Sequence, residues 1–307
     1  MKKYFALFLA ALMLLSLASS VRAEAQEPVS FKVSAPGGAP ALALAVLAQE
    51  APDQYTFVLA ETIAAEFSAA TADFLIAPVN AGAKLYKAGK STYKLAAVVS
   101  WGNLFFASRK ENFTLEDMNG ANVTFFGENT VNASVALFAL EQNSIVPAHI
   151  NYLAGAANTQ QLLLSDENAI VLTAEPALTA ARMKNDSIAA YSLNDLYRAA
   201  TGFDGYAQAG LFIRADVAET RPEDTAAYLK LVEESCDRCT DDVSAVAEAA
   251  VALEILPNMK VAQAAIPGCA IRYLSAPEAK EQVERTADID LAQFGGAVPA
   301  DDFYYGL

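Results

Sequence analysis

The sequence predicts an α/β chain of two lobes, each a mostly parallel sheet flanked by helices, joined by two crossover segments that form a hinge. Three observations lead there. From residue 30 onward, short apolar runs of strand length alternate with alanine-rich helical segments, the signature of parallel β-α-β units. The alternation occurs twice, with a break near residues 100–106. After a further strand-like run, GYAQAGLFIRAD at 205–216, the pattern is almost wholly helical, and this tail is expected to pack back onto the first lobe. With 307 residues, 54% hydrophobic and 19% charged, the chain can bury a large core and fill two lobes.

Taken in order, SFKVSA, YTFVLA, DFLIAP and YKLAAVVS read as strands at 30–35, 55–60, 73–78 and 93–100, with helices at 39–50, 62–70 and 80–89 between them. The second series has NVTFFG, INYLAG, AIVLTA and SIAAYSL as strands and helices at 129–143, 157–165, 176–185 and 194–200. The expected division is a leader at 1–23, a first lobe made of 24–103 and 207–307, and a second lobe at 104–206. Thr220 to Glu223 and Ser275 to Glu278 each pair a hydroxyl with a carboxylate three residues on, the spacing of a capping box.

Residues 1–23 place Lys2 and Lys3 before an apolar run that ends at Val21-Arg22-Ala23, the pattern of a secretory signal peptide. The run is about 17 residues, shorter than the roughly 20 that cross a bilayer. No cysteine follows it, so a lipid anchor is not expected, and the short Lys-Lys leader points to export into a bacterial periplasm. The chain has 21 Lys and Arg against 36 Asp and Glu, a net charge of −15. Removing the leader takes away three of the cations and brings the charge to −18, which repels phosphate backbones and excludes nucleic acid as a partner. Three cysteines stand at 236, 239 and 269. In an oxidising compartment one disulfide and one free thiol are expected, with a bridge from Cys236 or Cys239 to Cys269 closing the more useful loop. One histidine and no acid-rich cluster at ligand spacing give a metal site no support, and no cofactor motif is present.

Ligands in open α/β sheets sit beyond the carboxyl ends of the strands, where the next helix presents free N–H groups. Ala35-Pro36-Gly37-Gly38-Ala39-Pro40 occupies such a position, its glycines allowing a ligand to approach backbone and Pro40 suiting a first helical turn. It matches neither a phosphate loop nor a dinucleotide turn. Ala77 to Gly82, Gly127 to Asn132 and Thr173 to Ala177 repeat the construction, so two turns per lobe are expected to face each other across a cleft. Gly37, Gly38 and Ala39 supply backbone there, Asn80, Asn129 and Thr130 neutral hydrogen-bonding groups, and Glu128 and Glu175 acceptors. Each of these polar residues is also an ordinary helix cap, and it is their recurrence around one cleft that favours binding. Trp101 and Asn103 lie at the first crossover, where the indole could stack on a planar ligand or simply fill the core. Tyr206 and Gln208 sit on the return crossover. His149 lies between a helix and a strand with no nucleophile motif beside it, and Asp301-Asp302 reads as a solvated tail, so no catalytic residue is expected.

These segments resemble the substrate-binding proteins of ABC importers in the nitrate, sulfonate, taurine and thiamine-precursor group, with the type II periplasmic-binding-protein fold. The resemblance spans nearly the whole mature chain and is carried by PGGAPALALAVLAQE, ADFLIAPVNAGAKLYKAG, LEDMNGANVTFFGENT and AIVLTAEPALTAA, the last with Ala174 where the family has a proline. AIPGCAIRYLSAPEAK and the ending FGGAVPADDFYY are similar to a bacterial subgroup. It implies two lobes closing over a small solute, delivery to an inner-membrane permease, and a monomer. It also implies contacts from Gly38, Asn80, Trp101, Asn129, Thr130 and Glu175. No Lys or Arg stands in the four turns. Together with Trp101 and two Glu acceptors, that favours a flat, nitrogen-rich heteroaromatic over a sulfonate or nitrate anion. An enzyme on the same fold is the alternative, weakened by export and by the isolated histidine. A receptor feeding a signalling partner is a third reading.

Overall fold

The computed structural model describes residues 30–60 and 62–307; the expected leader at 1–23 lies outside them. Four strands open the chain: β1 (Val33–Pro36), β2 (Tyr55–Val58), β3 (Phe74–Pro78) and β4 (Tyr93–Ser100). Five more follow, β5 (Leu104–Ser108), β6 (Asn122–Phe126), β7 (His149–Leu153), β8 (Ile170–Ala174) and β9 (Ala189–Ser192), and then β10 (Ala209–Arg214) and β11 (Ile271–Ser275). They form two sheets, one ordered β11-β4-β10-β3-β1-β2 and the other β7-β6-β8-β5-β9. The first sheet therefore draws on both ends of the described chain, the second only on its middle.

Both sheets are mixed. Strands β1 to β4 run one way, and β10 lies antiparallel between β3 and β4, with β11 antiparallel on the edge. In the second sheet β6 to β9 share a direction and β5 alone is reversed, wedged between β8 and β9. The expectation of a mostly parallel sheet thus holds by direction, but each sheet has in its interior a reversed strand that enters straight from a crossover. Two strands were absent from the expected pattern: LFFAS at 104–108, read as crossover, and IRYLS at 271–275, read as part of a helical tail.

The helices are α1 (Ala45–Glu50), α2 (Ile63–Ala69), α3 (Val79–Lys87), α4 (Val131–Gln142), α5 (Ala156–Ser165), α6 (Ala177–Arg182) and α7 (Leu193–Thr201). Past β10 come α8 (Ala215–Thr220), α9 (Pro222–Asp241), α10 (Val243–Ala252), α11 (Met259–Ala265) and α12 (Ala276–Ile289). The helix expected at 39–50 divides into a 3-10 run, Ala39–Leu44, and α1. Ala41 to Ala45 have no exposed surface at all. They lie under α9, while α10 covers α1, so this segment is apolar on every side because every side is covered. The long tail accordingly packs on the elements of the first sheet. Gly82 lets α3 lie flat on β10: a Cβ there would stand 2.4 Å from the Phe212 ring.

The capping box at Ser275 and Glu278 forms. That at Thr220 does not, because α8 continues through Thr220, whose hydroxyl donates to the Asp216 carbonyl, and Arg221 takes the cap position of α9. A box not foreseen, Thr114 with Asp117, starts the 3-10 turn Leu115–Met118. The expected disulfide is absent as well. Cys236, Cys239 and Cys269 are free thiols, all buried. Cys239 and Cys269 are turned toward backbone carbonyls, of Leu42 at 3.8 Å and Ala265 at 3.3 Å. Burial pushes the Cys239 thiol up to about 12.

Candidate ligand-binding site

Between the two sheets, above the crossovers, lies a cavity of about 320 Å³. The first sheet contributes Gly37, Pro40 and Ile63 and the start of α3, Asn80 and Ala81; the second contributes the start of α4, Thr130 to Asn132. Gln208 and Ala209 form part of its floor, and Gln293, from the chain after α12, closes one end. None of the described residues lining it is ionisable. Its polar groups are a threonine hydroxyl and the amides of Asn80, Asn132, Gln208 and Gln293; prolines and aliphatic side chains make up most of the rest.

Why the walls take this form follows from local chemistry. Pro78 ends β3 and caps α3 without a side-chain acceptor, so the first N–H groups of α3 have no intrahelical partner. Val79 N–H is taken by the Gln208 carbonyl at 3.1 Å, which fixes the return crossover to this helix. On the opposite wall Thr130 is a complete N-cap: its hydroxyl donates to the Gly127 carbonyl at 2.6 Å and accepts from Ala133 N–H at 3.4 Å. Thr130 therefore shapes the turn and has little hydrogen-bonding capacity left. Asn80 makes no hydrogen bond through its side chain among the described residues.

Beneath the floor runs a chain of amides. Asn103 Nδ2 donates to the Glu175 carbonyl at 2.8 Å, and Gln208 Nε2 donates to Asn103 Oδ1 at 3.1 Å and Asn132 Oδ1 at 3.4 Å. Ser100 donates to Gln208 Oε1 at 2.9 Å, and Tyr206 donates to Asn132 Oδ1 at 2.9 Å. The chain links both crossovers to the first turn of α4. Gly102 sits at its pivot with φ +88°, and a Cβ there would come within 2.4 Å of the Tyr206 ring. Further out, the two halves are bridged by Ser134, which donates to Asp290 Oδ2 at 2.7 Å, and by Gln293 Nε2, which donates to the Asn129 carbonyl at 2.8 Å.

Of the eleven residues expected at the site, Gly37, Asn80, Thr130 and Gln208 line the cavity. Asn103 is buried just below it. Gly38 caps the 3-10 run at φ 96° and Ala39 is buried within that run. Glu128 and Asn129 are exposed at the rim, Asn129 in the left-handed region at φ 59°.

Two of the expected residues lie away from this cavity. Trp101 is only 2% exposed. Its indole N–H donates to the Arg272 carbonyl at 2.9 Å, and the Arg272 guanidinium lies 4.9 Å from the ring centre. It faces a different groove, of about 430 Å³, beside Asp204 and α9. Glu175 is 7% exposed and is spent inside its own turn: one oxygen accepts from Thr179 N–H at 3.1 Å, the other from the Thr179 hydroxyl at 2.9 Å. Burial pushes its carboxyl above the ordinary range, the Thr179 bonds opposing that rise. Asn132 and Gln293, which line the cavity, were not singled out. Asn132 closes a turn the sequence did flag; Gln293 carries no motif and arrives from far along the chain.

Two mixed sheets joined by two crossovers, each crossover feeding a reversed strand, with a cleft above them, define the type II periplasmic-binding-protein fold. Solved structures share it. An ABC transporter protein from Parabacteroides distasonis is 23% identical with a TM-score of 0.77, over 90% of this chain and 98% of its own. The alkanesulfonate-binding protein SsuA from Xanthomonas axonopodis pv. citri, bound to MOPS, is 16% identical with a TM-score of 0.63, over 91% of this chain and 99% of its own. The ligand-binding component of an ABC-type import system from Staphylococcus aureus, with zinc bound, is 12% identical with a TM-score of 0.67, over 90% and 95%. At such identities the likeness is one of fold. No protein-family model and no curated protein matches the sequence.

Proposed function

We propose that this chain is the exported solute-binding component of an ABC importer, which closes its two lobes, 24–103 with 207–307 and 104–206, over one small molecule and presents it to an inner-membrane permease. The observation that carries the reading is the cavity between the sheets, lined from both of them by the starts of their helices. Among the described residues the lining supplies amides, a hydroxyl and aliphatic surface, groups that hold a solute by hydrogen bonds and packing. No helix among the described residues is long and apolar enough to cross a membrane.

A heteroaromatic ring loses three of its supports, because Trp101, Glu128 and Glu175 lie outside the cavity lining. A small oxyanion with an aliphatic body fits better. The starts of α3 and α4, nine and twelve residues long, bring unpaired N–H groups and the positive ends of their dipoles to the two walls. Ile63, Val131 and the prolines offer apolar surface for a short tail. Three of the similar structures are named for alkanesulfonate, sulphonate or sulfonate binding.

The test is a thermal-shift screen of refolded, ligand-free mature protein against ethanesulfonate, MOPS, nitrate, pyrimidines and thiamine precursors. A ligand at 100 times its dissociation constant adds about 2.7 kcal/mol, worth several degrees in a chain of this size. A shift with sulfonates supports the oxyanion reading. A shift with pyrimidines alone overturns it while keeping the receptor; chemical conversion of any compound in the panel overturns the receptor.

A further inference from the structure

The amide chain under the cleft has a fixed polarity, and that polarity reaches the ligand. The Glu175 carbonyl can only accept, so Asn103 must turn its NH2 toward it. Asn103 Oδ1 is then what Gln208 meets, so Gln208 faces it with its NH2 and offers its oxygen to Ser100. The other Gln208 N–H falls on Asn132 Oδ1, which also receives the Tyr206 hydroxyl. Turning the Asn132 amide over would set its NH2 against these two donors and leave both without an acceptor. Burial pushes the Tyr206 hydroxyl far up, which keeps it a neutral donor. Asn132 Oδ1 is thus held by two bonds, while its Nδ2 has no acceptor among the described residues and Asn132 lines the cavity.

We infer that Asn132 contacts the ligand and selects for a hydrogen-bond acceptor at that point, its NH2 oriented by Tyr206 and Gln208. This rests on the cleft being the solute site. It goes beyond that reading by naming the residue and the sign of the hydrogen bond. Oxyanion, carbonyl and ether oxygens satisfy the NH2; an ammonium or a ring N–H placed there does not.

The experiment has two arms. Ethanesulfonate is titrated calorimetrically into wild type, Asn132→Asp and Asn132→Leu. Asp keeps an acceptor for Tyr206 and Gln208 but offers no donor, and Leu offers neither donor nor charge. Affinity is expected to fall about 10- to 100-fold in both, the loss of one hydrogen bond to a charged group. Wild-type affinity in both variants, or a loss confined to Asn132→Asp, which charge repulsion alone explains, overturns the inference. The second arm needs no ligand. In 15N-labelled wild type, the Asn132 NH2 protons, assigned by their disappearance in Asn132→Asp, are expected to exchange with water as an exposed amide does while those of Gln208 are slowed. An Asn132 NH2 as protected as that of Gln208 overturns the inference. Failure of wild type to bind ethanesulfonate removes the oxyanion ligand alone, and the exchange arm still decides the orientation of Asn132.

Discussion

Replacing Trp101 by alanine separates a wall of the cleft from a pillar of the hinge. The indole is 98% buried, donates to the Arg272 carbonyl at 2.9 Å, and its own backbone N–H bonds the Ala270 carbonyl at 3.1 Å. The first crossover is thereby tied to the strand β11 segment. Truncating a buried tryptophan costs about 3–5 kcal/mol, a large part of the 5–15 kcal/mol that keeps a typical domain folded. At roughly 2–4 °C per kcal/mol for a chain of this length, the melting temperature is expected to fall by about 6–20 °C. Because Trp101 lies outside the cavity lining, the protein that remains folded is expected to keep its affinity to within about twofold, below the roughly 1 kcal/mol of one lost contact. Circular dichroism melts measure the first quantity and calorimetric titration at low temperature the second. A Trp101→Ala protein with wild-type stability and lost affinity would refute the assignment and return the indole to the ligand.

Under the closing-cleft reading, Ser134→Ala removes the bond to Asp290 that bridges the two halves. A loss of about 1 kcal/mol from the closed form lowers affinity roughly fivefold, and small-angle scattering of the ligand-free variant is expected to show a larger radius of gyration than wild type. Glu175→Gln probes the buried carboxyl. Its pKa is raised in the folded protein, so wild-type stability from this group is fully present below the unfolded value and drains away as pH rises through the folded one. The variant is therefore expected to gain on wild type in urea midpoint as pH goes from about 4 to about 8, where an unshifted carboxyl gives no trend. All three cysteines are buried and free; a thiol reagent is expected to find almost none in native protein and three per chain in denaturant, and a count of one in denaturant would restore the disulfide.

The strands most legible in the sequence were those bounded by turn residues and buried on both faces, FLIAP at 74–78 and YKLAAVVS at 93–100. Strand β5 was not, because only three residues separate it from β4 and its partners, β8 and β9, lie more than sixty residues on. Nothing local distinguishes it from a connecting segment. The turns around the cleft were readable for the same reason as the caps: Gly37, Asn80 and Thr130 follow strand ends and open helices. What sequence could not supply was the side of the crossover on which each side chain falls. Trp101 and Glu175 attracted attention by rarity and by position after a strand, yet one turns toward Arg272 and the other caps its own helix. Asn132 looks like any polar residue in a first helical turn until Tyr206 and Gln208, more than seventy residues later, are seen to hold its oxygen.

The insertion of β10 between β3 and β4 also governs when the protein can fold. Strands β3 and β4 are close in sequence but do not touch; each is hydrogen-bonded to a strand that begins only at residue 209. The second sheet draws all its strands from residues 104–192 and is complete before that strand has been synthesised. The first sheet has no centre until two-thirds of the chain is available, so its contacts are non-local and its assembly slow. Under the proposed export, with the amino end passing through the membrane first, the strands of the first sheet can lock together only after the return crossover has emerged.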